Sequence, residues 1–538
     1  MDQIFINGSI YTMAGRRVEA LAVQRGRIAY AGSREGALAL MTEDTKVTDL
    51  GGHCVLPGFC DSHMHMLLCG VGFHRLDLRG AVSPEELVER GRAYINERGI
   101  APGEWVIGYG FDHNLFVDTQ LPDGRIAEAI SAVHPVLLDR VCGHVGTANG
   151  LALQLAGFAS DTMIPGGELD RDETGALTGV IRETALDKIK ACIPKLSQAQ
   201  VEELLQEAGE RFAPCGLTSV HSDDLGPEGT DWDTLSAAME ALEARGELRI
   251  RIFEEWEAAR PQTLQPIIDK GYHTGWGRET LRVCNIKLIT DGSLGARTAY
   301  LKEDYSDDPG NRGIPVYTQE KLNELTTLCH KAGQQVAFHA IGDGALEQCV
   351  TAVERAMAEE PKPLRHRIVH CQIGNEDLYR RMAALGMGAD VQPAFTVTDG
   401  PHVEPRLGKT RARESYAWKT LLDLGVLVGG GSDSPVEDFA PLWGIYCAVT
   451  RSDGQGAPAW MPEQRLSVEE ALTIYTKNGA LLASQEENLG TLEAGKLADL
   501  VVLDRDIFTI TPEEIKNVRV LLTMMGGRET YRDDSAPF

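Results

Sequence analysis

Val55-Leu56-Pro57-Gly58-Phe59-Cys60-Asp61-Ser62-His63-Met64-His65-Met66 reads as an apolar approach, a Pro-Gly turn, a short strand and two histidines one residue apart. Residues two apart in a strand point to the same face, so His63 and His65 can aim two imidazoles at one point. Imidazole is the commonest neutral metal ligand. Alone, the pattern reads equally well as two polar residues on a loop. Its weight depends on where other ligating side chains fall along the chain.

Outward from this stretch, strand candidates recur at 59–63, 217–221, 250–254, 283–289, 335–339, 367–370, 387–391 and 426–430. Helical patterns lie between most of them, at 197–212, 318–331, 344–359 and 467–483. Alternating strand and helix over 58–487 predicts an α/β class with a parallel sheet. Eight such units have the size of a (β/α)8 TIM-like barrel. The connection from His65 to Leu217 is about 150 residues, too long for a structureless loop in a compact domain. It predicts an inserted α/β subdomain at about 67–214, lying over the barrel mouth. There, Trp105, Tyr109, Phe111 and Phe116 either wall a pocket or form the insertion's own core, with Trp105 and Phe111 the candidates for substrate contact.

Both ends have a different texture. Ile4-Phe5-Ile6 before Asn7-Gly8, Ala20-Leu21-Ala22-Val23 before Arg25-Gly26, and the runs 497–504 and 518–524 around Gly526-Gly527 predict short antiparallel strands. Neither end can bury a good core alone. Segments 1–57 and 488–538 are therefore expected to combine as one β-sandwich, with the barrel of 58–487 inserted between them.

Composition narrows the class. The chain of 538 residues is 43% hydrophobic and 24% charged, as in a globular protein, and its 57 glycines suit many strand–helix junctions. A net charge of −27 offers no attraction to nucleic acid or an anionic membrane surface. No apolar run reaches the ~18–20 residues of a membrane span. The first residues lack a basic segment followed by an apolar core, so no signal peptide is expected. The 11 scattered cysteines contain no C-x-x-C pair, which suits free thiols in a reducing cytoplasm.

In barrels the C-terminal strand ends face the active site. Four further strands end on suitable residues: Lys287 in Val283-Cys284-Asn285-Ile286-Lys287, His339 after Gln335-Val336-Ala337-Phe338, His370 after Arg367-Ile368-Val369, and Asp433 after Gly429-Gly430-Gly431-Ser432. Singly, each has an ordinary reading: a snorkelling lysine, core histidines, a turn aspartate. Together with His63 and His65 they make an oxygen–nitrogen cage for a divalent metal.

With these residues in place the chain resembles the amidohydrolase superfamily, and within it the YtcJ and N-substituted formamide deformylase group. The resemblance rests on Pro57–His65, on Asp291-Gly292-Ser293-Leu294-Gly295-Ala296-Arg297-Thr298-Ala299, on His339-Ala340-Ile341-Gly342-Asp343-Gly344-Ala345, on Gly431-Ser432-Asp433-Ser434-Pro435-Val436 and on the run 490–503. One departure is that Val369 and Cys371 flank His370 where the group often carries Glu and Ala. The resemblance implies that His63 and His65 bind the more buried ion, that Lys287 is N6-carboxylated and bridges two ions, and that His339 and His370 hold the second. It implies that Asp433 binds the first ion and is the catalytic proton acceptor. Zinc is the expected metal, as one or two ions.

His144, in a His…Asn segment resembling one that recurs in this group, is a second catalytic candidate; its alternative role is ordering its own loop. Asp291 and Arg297, just past the lysine strand, are candidates for substrate contact or for a salt link between loops, and His221 for a supporting role. The expected activity is hydrolysis of a non-peptide C–N bond, in an N-substituted amide or N-acyl or N-formyl amine, by metal-activated hydroxide. The alternatives are a deaminase or cyclic-amide hydrolase with a mononuclear site, and a catalytically silent metal-binding barrel. The expected partner is a small-molecule substrate, with no nucleic acid and no membrane, in a cytoplasmic protein that is a candidate homodimer.

Overall fold

Eight parallel strands build the frame that carries the site: β1 (Phe59–Met64), β2 (Leu217–Leu225), β3 (Arg251–Glu257), β4 (Leu281–Ile289), β5 (Val336–Ala340), β6 (Arg367–His370), β7 (Gly388–Val391) and β8 (Leu427–Gly430). The computed structural model describes residues 1–140, 145–164, 167–225, 230–456 and 458–538. Adjacent strands pair in sequence order from β1 to β8. Every residue of β1, β6 and β7 is buried, as a sheet covered on both faces requires.

The first and last strands meet just beyond their ends. Asp433 N–H donates to the His63 carbonyl at 2.8 Å, and His65 N–H donates to the Ser434 carbonyl at 2.8 Å. Glycine makes the approach feasible: a Cβ on Gly431 would lie 2.7 Å from the His63 backbone nitrogen. The barrel is thus an eight-stranded, all-parallel and nearly closed one. Its strands fall where the hydrophobic runs place them. The main difference is that β2 continues past His221 to Leu225, which carries Asp223 and Asp224 to the same end as the predicted ligands.

The chain divides into two compact units, Met1–Cys69 with Gln198–Phe538, and Gly70–Ser197. The first unit begins again at Gln198 rather than near 214 because the helix Gln198–Phe212 packs on the helix Trp232–Ala244 beside the barrel. In this unit, strands from both termini join one branched sheet. Cys54–Pro57 pairs antiparallel with Leu500–Leu503, so the entry and exit segments of the barrel are hydrogen-bonded neighbours. Phe5, Leu21, Val55, Leu500, Val502 and Leu522 share its core. A buried pair, Arg251 Nε to Asp499 Oδ2 at 2.8 Å, ties β3 to that sheet.

The second unit has its own six-stranded sheet. Phe111 is fully buried in one of its cores, with Leu76, Val106 and Leu138. Trp105 lies partly buried against a second core around Leu137 and Ile181. The described cysteines are free thiols. No helix among the described residues is long and apolar enough to cross a membrane.

At the N-terminal ends of β5 and β6, two buried histidines form a chain of fixed polarity. Val336 N–H donates to His366 Nδ1 at 3.0 Å, so His366 Nε2 carries the hydrogen and donates to His330 Nδ1 at 2.8 Å. His330 Nε2 then donates to the Glu360 carbonyl at 2.6 Å. Burial, with His330 alongside, pushes His366 down to about 3. The neutral form is the folded form, so this contribution to stability is complete above pH ~6.5 and is lost as pH falls towards 3. In thermal melts from pH 7.5 to 4.5, a His366→Asn variant should be less stable at neutral pH and lose less stability on acidification than the wild type. Parallel curves for the two proteins would exclude this role.

Candidate metal centre

β1 delivers His63 and the turn after it delivers His65, with ring centroids 5.4 Å apart. Asp433 follows β8 across the barrel seam. One ligating atom from each of His63, His65 and Asp433 lies within 4.8 Å of the other two. Asp433 Oδ1 is 3.4 Å from His63 Nε2 and 3.3 Å from His65 Nε2. Asp61 sets this geometry from beneath, accepting from His63 N–H at 3.1 Å and from Ser432 N–H at 3.0 Å. Burial pushes Asp61 up to about 7.

β5 and β6 deliver His339 and His370, whose rings are 4.6 Å apart, and the His370 ring is 5.7 Å from that of His63. β4 delivers Lys287, buried, with Nζ 3.1 Å from His63 Nε2. All six predicted ligands thus come to one end of the barrel. Two of them pay in backbone strain, with φ of 75° at His370 and 57° at Asp433, the left-handed region that non-glycine residues rarely occupy.

Three of the four histidines have an acceptor on the outer nitrogen, and the fourth, His63, has a carboxylate close by. His65 Nδ1 donates to the Asp223 carbonyl at 3.2 Å, His339 Nδ1 to Asp291 Oδ1 at 3.1 Å and His370 Nδ1 to Gln392 Oε1 at 2.9 Å. His63 Nδ1 lies 3.1 Å from Glu255 Oε2. With Nδ1 carrying the hydrogen, Nε2 keeps its lone pair for a cation, the arrangement typical of ligating histidines. Three or four imidazoles and a carboxylate, with these outer partners, fit a divalent transition metal.

Charge at the site is concentrated and balanced. Burial alone would raise the Asp433 carboxyl, but hydrogen bonds to His63 and His65 hold it well below the usual carboxylate range. Burial likewise opposes charge on Glu255, yet Lys287, His63 and Arg367 keep it ionised. Burial, then His339, keeps His370 neutral. His65 is pushed up to about 9, its burial outweighed by Asp433 and Asp223.

Other predicted residues have different surroundings. Asp291 is buried and accepts from Ile341, Gly342 and Tyr300 N–H as well as from His339, so its carboxylate is engaged in holding the β5 end. Arg297 pairs with Asp307 at 3.0 Å. Trp105 and Phe111 sit against the cores of their own unit. His144 lies outside the described residues. His221 is buried, accepting from Arg367 Nη1 at 2.9 Å. Sequence reading missed Glu255, Asp223, Arg367 and Gln392. The signal for the first was Glu254-Glu255 within the apolar strand β3, since buried carboxylates need partners.

The model of the amidohydrolase family matches residues 46–531. The chain is similar to "Putative amidohydrolase YtcJ" of Bacillus subtilis, 35% identical and covering 99% of each chain. It is also similar to N-substituted formamide deformylase of Arthrobacter pascens, 26% identical and covering 98% of each. Among solved structures it resembles an uncharacterized metal-dependent hydrolase from Pyrococcus furiosus, with a TM-score of 0.79, 31% identity, and coverage of 94% of this chain and 100% of that one.

A cation taking the His65 lone pair must displace the proton that Asp433 and Asp223 stabilise there. Zinc uptake should therefore release protons into a weakly buffered solution, and apparent affinity should fall from pH 8 to pH 6, roughly tenfold per unit for each proton displaced. A pH-independent affinity would contradict the ligand role of His65.

Proposed function

The chain belongs to the amidohydrolase family, and on that premise we propose that this metal-dependent hydrolase of C–N bonds acts on an N-substituted amide, as an N-acyl or N-formyl amine. The observation that carries the reading is the meeting of His63, His65, Lys287, His339, His370 and Asp433 at one end of the barrel. The similarity to an N-substituted formamide deformylase supports this substrate class.

His63, His65 and Asp433 would hold one ion, His339 and His370 a second, with Lys287 between them; we assign zinc, and a carboxylated Lys287 as the bridge. When bound, the ions supply Lewis acidity and lower the pKa of water. The rest is the work of this chain's side chains. Asp433, held as a carboxylate by His63 and His65, accepts the proton of the attacking water and returns it to the leaving nitrogen. Asp291 and Gln392 keep His339 and His370 from turning.

The substituent on the amide is proposed to be apolar. Leu68, Ile289 and Val436 are 39%, 38% and 64% exposed, and they follow the ligands His65, Lys287 and Asp433 by two or three residues. The reducing cytoplasm is the proposed compartment, supported by the free thiols. A second reading draws on the tight His63–His65–Asp433 group, which could serve one ion, as in a deaminase or cyclic-amide hydrolase. Elemental analysis separates them: two ions per chain favour the amide hydrolase, one favours the alternative.

Asp433→Asn keeps the shape and removes the proton acceptor. On a panel of N-formyl and N-acyl amines with zinc-loaded protein, it should lower kcat by about 10²–10⁴-fold with the fold intact by circular dichroism. Full activity in this variant would refute the assigned role. Stripping the metal with a chelator should abolish turnover, and added zinc should restore it.

A further inference from the structure

We propose that Glu255 is the positioning residue of the metal centre, setting the tautomer of His63 and the placement of Lys287 through a single carboxylate oxygen. The proposal rests on the metal-dependent reading above and adds a residue from β3, a strand that contributes none of the six ligands.

The two oxygens of Glu255 divide their work. Oε2 faces the ligands, 3.1 Å from His63 Nδ1 and 3.4 Å from Lys287 Nζ. Oε1 faces the scaffold, accepting from Arg367 Nη2 and from Asn285 Nδ2, the latter at 3.3 Å. Arg367 cannot move to follow a substrate. Its Nε is 2.8 Å from Asp390 Oδ2, and its Nη1 donates to His221 Nδ1, whose Nε2 donates to the Gly479 carbonyl at 3.1 Å. Glu255, Arg367, Asp390 and His221 are all fully buried.

A buried carboxylate paired with a guanidinium stays ionised and can only accept hydrogen bonds. Oε2, 3.1 Å from His63 Nδ1, favours the tautomer with the hydrogen on Nδ1, which leaves the lone pair on Nε2, the atom that faces Asp433 and Lys287. The same oxygen suits both forms of the lysine. When the neutral amine adds to carbon dioxide, the N–C bond forms and one proton leaves to solvent. Nζ then keeps one N–H, which Oε2 can accept. A buried ion pair serving the fold alone would need only the contact with Arg367; the second oxygen, shared between two ligands, serves the site.

The test is zinc affinity, measured by competition with a chromophoric chelator in wild type, Glu255→Gln and Glu255→Asp, alongside the melting temperature of each zinc-free protein. Glu255→Gln should bind zinc 10–100-fold more weakly, and Glu255→Asp, which keeps the charge opposite Arg367, should recover part of the loss. On ¹⁵N-histidine-labelled, zinc-loaded protein, the His63 ring should show a protonated Nδ1 in wild type and a mixed or shifted signal in Glu255→Gln. Wild-type zinc affinity in a folded Glu255→Gln overturns the proposal; if that variant does not fold, wild-type affinity in Glu255→Asp does so. Wild-type protein that binds neither zinc nor manganese brings down the underlying metal reading instead, so the two failures are distinguishable.

Discussion

Two backbone hydrogen bonds across the barrel seam hold the functional end of this protein together. They join Asp433 to the His63 carbonyl and His65 to the Ser434 carbonyl. The contacts that finish the sheet are thus made by the residues that carry its chemistry. Closing the barrel and assembling half the cage are one event. Gly431 is part of this constraint, because any side chain there would strike the His63 backbone. Asp61 reinforces it by bonding to N–H groups on both sides of the seam.

Once the seam is closed, electrostatics decides the rest. Asp433, Glu255 and Asp223 bring three carboxylates to a largely buried centre, and the Lys287 side chain and the Arg367 guanidinium face them. Such a group is expensive to bury unless each member finds a partner. The excess of acceptors over cations around the imidazoles is the condition that favours a divalent ion. Away from the centre, Asp291 and Gln392 pay the same kind of attention to orientation, by taking up the Nδ1 hydrogens of His339 and His370.

The strand ends made much of this legible. Apolar runs of four to seven residues closing on His, Lys or Asp stand out because the rest of a doubly covered strand is hydrophobic. Lys287, His339 and His370 were readable as candidates for that reason, and the barrel strands with them; His63 and His65 stood out by their spacing and Asp433 by the glycine-rich strand end before it. Glu255 was not, since its neighbour Glu254 is identical in type and only the pleat decides which of the two faces the cage. Asp223 was hidden by the end of β2, where the apolar run stops at His221 while the ladder continues. Arg297 lies after the lysine strand, where a substrate contact or a salt link between loops both fit the sequence, and its guanidinium is paired with Asp307.

From the sequence alone came the α/β alternation, the eight strands, and the candidate side chains that the strand ends bring together. These follow from local rules, hydrophobic period and residue chemistry, which act over a few residues. Only the tertiary structure decided which nitrogen of each histidine points inward, which of two adjacent glutamates reaches Lys287 and His63, and that Asp291 holds His339. Those outcomes depend on side chains from different strands, such as Glu255 with His63 and Arg367, and no local pattern encodes which of them will meet.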